Sequence, residues 1–389
     1  MTFFNFLTEE QQDWRDNCYR FMERSITREY IREHDMAREY YHEGYAKIVK
    51  EGWHSLIIPT ELGGSGASAM EYALMCEAGG RFGYDFVAAV VGTPSFTAQN
   101  VITWGNEDQI DRFIKPFVKG ENRFAIGISE PQAGSDAAAT ATRAVRDGDD
   151  YVITGAKQWI SGSGIPGAVI LMLVRTSSEN GKHGGLSTIL IPNDTPGLVF
   201  NKLNTLARRG MGTYQVFLDE VRVPVANRLG EEGQGWQIIG GNLELERIAC
   251  ASGYLGCAQQ AVDDALLYAT QREQFGQPIF QFQVLKHMLA DMQTDVDAAR
   301  LMVYRAAATI VAGQDALREV SMAKLIASET LQRVSRNGVQ IMGGHGMLPE
   351  ADMERYFREG MQSTIGGGTS QIQRGIIAKT MHNALPKRG

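Results

Sequence analysis

The chain has 389 residues, too many for one ordinary hydrophobic core, so two or three domains are expected. Its apolar fraction of 43% and charged fraction of 21% are those of a soluble globular protein, and a net charge of −7 argues against a nucleic acid or an anionic membrane as main partner. Four cysteines (Cys18, Cys76, Cys250 and Cys257) make no disulfide framework, and no signal peptide or transmembrane-length apolar run is visible, so a cytoplasmic protein is expected.

In chain order, NFLTEEQQ enters a helix with Thr8 as N-cap and Gln11 closing a capping box. Residues 1–122 read as helices broken by loops, most clearly at IIPTELGGSGAS, residues 57–68. Residues 123–232 change character: RFAIGIS, DYVITGAKQWIS, GAVILMLVRTS, GLSTILIP and TYQVFLDEVRVP are β-rich runs parted by Gly, Asp, Asn and Pro. The turn DGDD, residues 147–150, joins two of them, and the set predicts a small antiparallel barrel or sandwich. Residues 233–389 return to helical periodicity and predict a bundle. Leu285, Leu289, Met292, Val296, Ala299, Val303, Ala306 and Ile310 form one seam. Ile248, Ala251, Leu255, Ala258, Val262 and Ala265 form a second, rich in small residues, and Ala327, Leu331, Val334, Gly338 and Ile341 a third.

Several chemistries lack their motifs. There is no HExxH or CxxC pair, the seven histidines are scattered, and no metal site is expected. GSG at 162–164 is not a full nucleophile elbow, and GQG at 233–235 lacks the third glycine and downstream acid of a nicotinamide site. In STIGGGTSQIQR, residues 363–374, three glycines precede a helix with capping-box spacing at Ser370 and Gln373. Such a start lets a ligand approach backbone N–H groups. Glycine- and amide-rich turns spread along the chain suit a large cofactor with a long footprint.

ISEPQAGSD (128–136), KQWIS (157–161), EVRVP (220–224), QREQFGQPIFQFQ (271–283), VQIMGGHG (339–346) and GGTSQIQR (367–374) together resemble the acyl-CoA dehydrogenase family, in order and over nearly the whole chain. The resemblance implies a mainly α fold with a central β domain: an N-terminal helical domain (1–122), a small antiparallel β-barrel or sandwich (123–232) and a C-terminal four-helix bundle (233–389). It implies FAD, an acyl-CoA that loses its α and β hydrogens as proton and hydride, and an electron-transfer flavoprotein as electron acceptor. It also implies a homotetramer built as a dimer of dimers. By resemblance the loop Ile126–Ser129 offers backbone groups and a hydroxyl to the flavin edge, with Ile128, Ser129, Trp159 and Ser161 lining it. The alternative for Trp159 is a β-domain core aromatic. Arg272, Gln274, Phe275, Gln283, Gln340, Gly343 and Gly344 match positions that bind the adenine half of FAD across a subunit boundary, Arg272 as a fork onto diphosphate. Thr369 and Gln371 match FAD contacts within one subunit; Ser135, Arg247 and Gly368 match substrate contacts.

One departure bears on the chemistry. Many members keep their catalytic glutamate immediately before G-T-S, where this chain has Gly367, with Gly366 in place of a bulky neighbour. In another arrangement, including isovaleryl-CoA dehydrogenases and some bacterial branches, the glutamate sits on a C-terminal-domain helix just before an arginine. NLELERIACASG, residues 242–253, carries Glu246 before Arg247 at the matching place. Glu244 competes, but residues two apart on a helix point in roughly opposite directions. An arbitrary Glu-Arg pair would more often be a solvated ion pair. The resemblance assigns Glu246 as the α-proton base and the backbone N–H of Gly367 as a donor to the thioester carbonyl. Two other outcomes are open: an acyl-carrier-protein dehydrogenase or enoyl-CoA reductase of the same fold, and a non-catalytic FAD-binding relative.

Overall fold

The computed structural model describes residues 7–179 and 181–385. These form two compact units that do not follow chain order. One takes the described residues up to Ala37, Ser68–Ala88 and those from Arg247 onward; the other takes Arg38–Ala67 and Ala89–Glu246. Among the described residues no helix is long and apolar enough to cross a membrane.

The second unit is built on one sheet of eight strands: β1 (Arg123–Gly127), β2 (Arg143–Asp147), β3 (Asp150–Ser161), β4 (Ala168–Arg175), β5 (Leu186–Pro192), β6 (Leu198–Leu203), β7 (Thr213–Pro224) and β8 (Arg228–Leu229). The order is β6-β7-β3-β2-β4-β5-β8, with β1 also on β4. The β2–β3 hairpin turns at Gly148 and Asp149, as DGDD predicts, with Asp147 opposite Asp150. The sheet does not close, because β6 and β8 remain at opposite ends of the order. Nor is it antiparallel throughout: β1 and β2 both pair with β4 in parallel. A parallel pair needs a long crossover, which the β2–β3 hairpin supplies between β1 and β4. Turn residues mark hairpins in a sequence, but pairing between strands far apart leaves no such mark.

β4 shows why the sheet sits at the centre of its unit. Its residues AVILMLV are all buried. Val169, Leu171 and Leu173 enter one apolar cluster with Ala98, Val101 and Phe113. Ile170, Met172 and Val174 enter another with Tyr151, Ile153 and Val216. Successive side chains point to opposite faces, so a continuous apolar run means both faces are covered.

The first unit is helical. Thr8 caps Glu9–Ser25, and Gln11 closes the capping box as predicted. Three long helices carry the predicted seams: Leu243–Gln271, Gln283–Val311 and Leu317–Met342. Leu289, Met292, Val296, Ala299, Val303 and Ala306 are buried in the second of these. The first is buried almost all round between Arg247 and Val262, more than one seam requires. Its glycines explain how: a Cβ at Gly256 would stand 2.0 Å from the carbonyl oxygen of Glu77, and one at Gly253 2.6 Å from the Tyr84 ring. Each glycine costs about 1 kcal/mol of helix propensity, offset here by close backbone approach.

Asp352 anchors the N-terminal helices to this unit. Its fully buried carboxylate lies 2.9 Å from Arg28 and from Arg32 and 3.0 Å from Arg355. Burial pushes this carboxyl up, but Arg355, Arg32 and Arg28 outweigh it and hold it at about 2 against an ordinary 3.8. A depressed carboxylate contributes stability that is present above its unfolded value and lost as pH falls through its folded one. Acid should therefore remove on the order of 2 kcal/mol between about pH 4 and pH 2. Asp352→Asn should cost about 3 kcal/mol at neutral pH, because it leaves buried arginines short of a counter-charge. Urea unfolding of both proteins at pH 7 and pH 3 checks this: the gap between them should narrow at the lower pH.

Candidate active site

Within the sheet unit, β1 carries Ile126, which is therefore a strand residue and not part of a loop as the sequence suggested. The chain leaves the sheet through Ile128 and Ser129, both half-buried. The carbonyl of Ser129 accepts the N–H of Gln158 at 2.9 Å, tying this exit to β3. β3 is irregular there: Lys157 pairs with Val216 but Ile160 pairs with Tyr214, so Gln158 and Trp159 together face one residue of β7. Trp159 takes φ +67°, in the left-handed region. For a residue with a Cβ that costs about 1–2 kcal/mol. Its indole is 56% exposed, which removes the core-aromatic alternative. Bulges re-aim side chains, and this one turns an indole outward beside Ser129 and the half-buried Ser161 at the end of β3. Ser135 is exposed in the segment before β2.

Two residues within the motifs ISEPQAGSD and KQWIS, Glu130 and Lys157, hold this geometry. Lys157 is fully buried, and its ammonium donates to the carbonyl of Ile128 at 3.1 Å and to Glu130 at 2.8 Å. Glu130 in turn accepts the N–H groups of Ala141 at 2.8 Å and Thr142 at 3.0 Å. Burial pulls Lys157 down to about 8 even though Glu130 opposes the fall. Burial pushes Glu130 up, but the charge and hydrogen bonds of Lys157 and the N–H donors outweigh it, so its carboxyl stays below the ordinary range. A lysine in an alternating strand gives no sign of which face it takes, so this pair was hidden.

Within the helical unit, Gly367 and Gly368 take φ +65° and +84°. Glycine enters this region at no steric cost. The following helix, Ser370–Asn383, is capped by Thr369, whose hydroxyl accepts the N–H of Ile372 at 3.2 Å. The cap is thus one residue earlier than the Ser370–Gln373 spacing predicted. Gln373 turns back and donates to the carbonyl of Gly367 at 3.0 Å. Gln371 is exposed on the first turn. At Gly366 a Cβ would stand 2.4 Å from the Gln362 amide nitrogen, so Gln362 occupies room that a larger residue 366 would need.

Arg272, Gln274, Phe275 and Gln283 are exposed on and beside a two-stranded turn, Phe275 at 92% and with φ +53°. Tyr268 stacks on His345 at 5.5 Å and brings this turn toward Gly343 and Gly344, which are exposed like Gln340. Glu244 and Glu246 both lie on the first turn of Leu243–Gln271, and both are half-buried. Arg247 is 6% exposed. A solvated Glu-Arg face does not fit these exposures. The two compact units divide between Glu246 and Arg247.

An outward indole with two half-buried hydroxyls beside it fits a flat heteroaromatic ring with a polar rim. The models for the acyl-CoA dehydrogenase N-terminal, middle and C-terminal domains match residues 8–121, 125–221 and 233–382. The chain belongs to the acyl-CoA dehydrogenase family. It is an oxidoreductase, and FAD is the family cofactor. It is 37% identical to a probable acyl-CoA dehydrogenase of Bacillus subtilis, over 96% of this chain and 98% of that one. It is 33% identical to a subunit of the caffeyl-CoA reductase–Etf complex of Acetobacterium woodii, over 96% and 98%. Butyryl-CoA dehydrogenase from Megasphaera elsdenii has the same fold, with TM-score 0.91 and 30% identity over 98% of this chain and 100% of that one.

The buried pair yields a stability prediction. Lys157→Met leaves Glu130 buried without its cation and should cost about 3–5 kcal/mol in a urea titration. Adding Glu130→Gln removes the stranded charge, so the double variant should be more stable than Lys157→Met alone.

Proposed function

We propose that this chain carries out α,β-dehydrogenation of an acyl-CoA thioester to the trans-2-enoyl-CoA, with Glu246 as the base, and passes electrons to an electron-transfer flavoprotein. One observation carries the assignment of the base. The usual carboxylate position holds Gly367, with φ +65°, while a half-buried Glu246 followed by a buried Arg247 stands on the first turn of the helix Leu243–Gln271. FAD, when bound, supplies the acceptor for the β-hydride. Trp159 and the hydroxyls of Ser129 and Ser161 orient its ring system; Thr369 and Gln371 are two further FAD contacts. The N–H of Gly367 donates to the thioester carbonyl, a role that survives loss of the side chain and is worth about 3–4 kcal/mol as negative charge develops there. Glu246 takes the α-proton. Ser135, Arg247 and Gly368 hold the acyl-CoA.

Assembly belongs to the same reading. The exposed Arg272, Gln274, Phe275, Gln283 and Gln340 serve the FAD of a neighbouring subunit in a homotetramer, and residues 1–122, 123–232 and 233–389 act as its three domains. Arg272→Ala should then weaken FAD retention during gel filtration. A monomer holding one FAD per chain would overturn the shared site.

A second reading keeps the residues and reverses the direction. The similarity to a caffeyl-CoA reductase subunit favours an enoyl-CoA as physiological substrate. Anaerobic titration separates the two: saturated acyl-CoAs bleach the oxidised flavin in the first case, and 2-enoyl-CoAs reoxidise the reduced flavin in the second.

Glu246→Gln tests the base. It preserves size and hydrogen bonding but removes the proton acceptor, so flavin reduction by a good substrate should slow by at least ~10²–10⁴ while FAD and acyl-CoA still bind. Glu244→Gln should leave the rate nearly unchanged. Near-normal reduction of Glu246→Gln in an anaerobic stopped-flow experiment would overturn the assignment. Adding Gly367→Glu to it should restore little, because a glutamate at φ +65° is strained by about 1–2 kcal/mol.

A further inference from the structure

Lys324, in the middle of the helix Leu317–Met342, is fully buried. Its ammonium donates to the carbonyl of Ser363 at 2.9 Å and to that of Gly368 at 2.7 Å. Gln373 is also fully buried, and its amide donates to the carbonyls of Gly367 at 3.0 Å and Gly368 at 3.3 Å. No peptide bond here is cis, so the C=O and N–H of each unit point in opposite directions. With the carbonyls of Gly367 and Gly368 drawn inward, the N–H groups of Gly368 and Thr369 face the other way. On the near flank the N–H of Gly366 donates to the carbonyl of Gln362 at 3.1 Å. The Gly366–Gly367 peptide, which carries the Gly367 N–H, is held between these two fixed points. Among the described residues the N–H groups of Gly367, Gly368 and Thr369 have no backbone acceptor.

Three successive glycines are the most permissive backbone available, and a donor must be held still to stabilise charge. A buried ammonium is an expensive way to supply a structural hydrogen bond. Carbonyls that meet a buried ammonium are held to it by the cost of its desolvation, and that makes it a stiff clamp.

We propose that Lys324, with Gln373 beside it, is the positioning group that fixes the Gly366–Thr369 loop so that its N–H groups hold the thioester carbonyl. The proposal rests on the reading above, in which Gly367 is the carbonyl donor. Neither side chain touches substrate on this view; both act through the backbone.

The test uses the FAD-loaded full chain and a 3-thia acyl-CoA labelled with ¹³C at the carbonyl. Its β-position is sulfur, which has no hydride to give. In the unmodified enzyme the labelled C=O stretch should fall on binding. Lys324→Met keeps the aliphatic stem without the donor, and Lys324→Gln keeps one donor without the charge. Lys324→Met should lose most of the frequency shift and about 10²-fold in kcat, with KM changed less than about threefold. Lys324→Gln and Gln373→Met should fall between. Full retention of the shift and of kcat in Lys324→Met would overturn the clamp while leaving Gly367 as donor. Loss of helical circular dichroism and FAD in both lysine variants would assign Lys324 to fold stability alone and also overturn it. Absence of any shift in the unmodified enzyme would instead overturn Gly367 as donor.

Discussion

A charged amine taken out of water must be met by oxygen atoms, and this chain uses that constraint twice. Lys157 and Lys324 are both fully buried. Neither is satisfied by a carboxylate alone: Lys157 also takes the carbonyl of Ile128, and Lys324 takes those of Ser363 and Gly368. The desolvation of an ammonium costs several kcal/mol, so carbonyls that answer it lose their freedom to move. Each lysine thereby ties down an irregular stretch of backbone by hydrogen bonds to its carbonyls. In the sheet unit that stretch is the exit from β1, beside the bulge that turns Trp159 outward. In the helical unit it is the glycine loop before Ser370. The two surfaces proposed to meet cofactor and substrate are both loops, and both are stiffened from beneath by a lysine.

Much of this order was visible in the residues, where periodicity reports burial. The seams of Gln283–Val311 and Leu317–Met342, the cap at Thr8 and the DGDD turn depend only on neighbours three or four positions apart. The motif at KQWIS pointed to Trp159, though only the backbone shows that the indole is outside and at positive φ. What stayed hidden depends on contacts between distant segments. The parallel pairing of β1 with β4 is such a case, and so is the match of Lys157 with Glu130 across 27 positions. Lys324 could have been found. It lies three residues before Ala327 and seven before Leu331, on the same buried stripe as the third seam, and a lysine on an apolar stripe asks for a partner.

The glycine loop also accounts for the placing of the carboxylate. A side chain at position 367 would have to adopt a left-handed backbone, and one at 366 would meet the Gln362 amide. The two departures from the common family pattern are therefore one structural choice. A loop shaped to offer backbone N–H groups, with its carbonyls tied inward, has little room for a glutamate of its own. On the proposed reading the base moves to a helix, where its rotamers are limited by the preceding turn and its position does not depend on the loop.

Gln362 alters what the paired glycines mean for the acyl group. Two glycines at 366 and 367 remove side-chain volume, but vacated volume is not the same as open volume. Cores fill such volume, and here the nearest occupant of the space beside Gly366 is a polar amide. Gln362 is half-buried and engaged in contacts of its own, so the volume that Gly366 vacates is already taken. Two glycines read alone imply room, and the residue that removes it lies four positions upstream of Gly366.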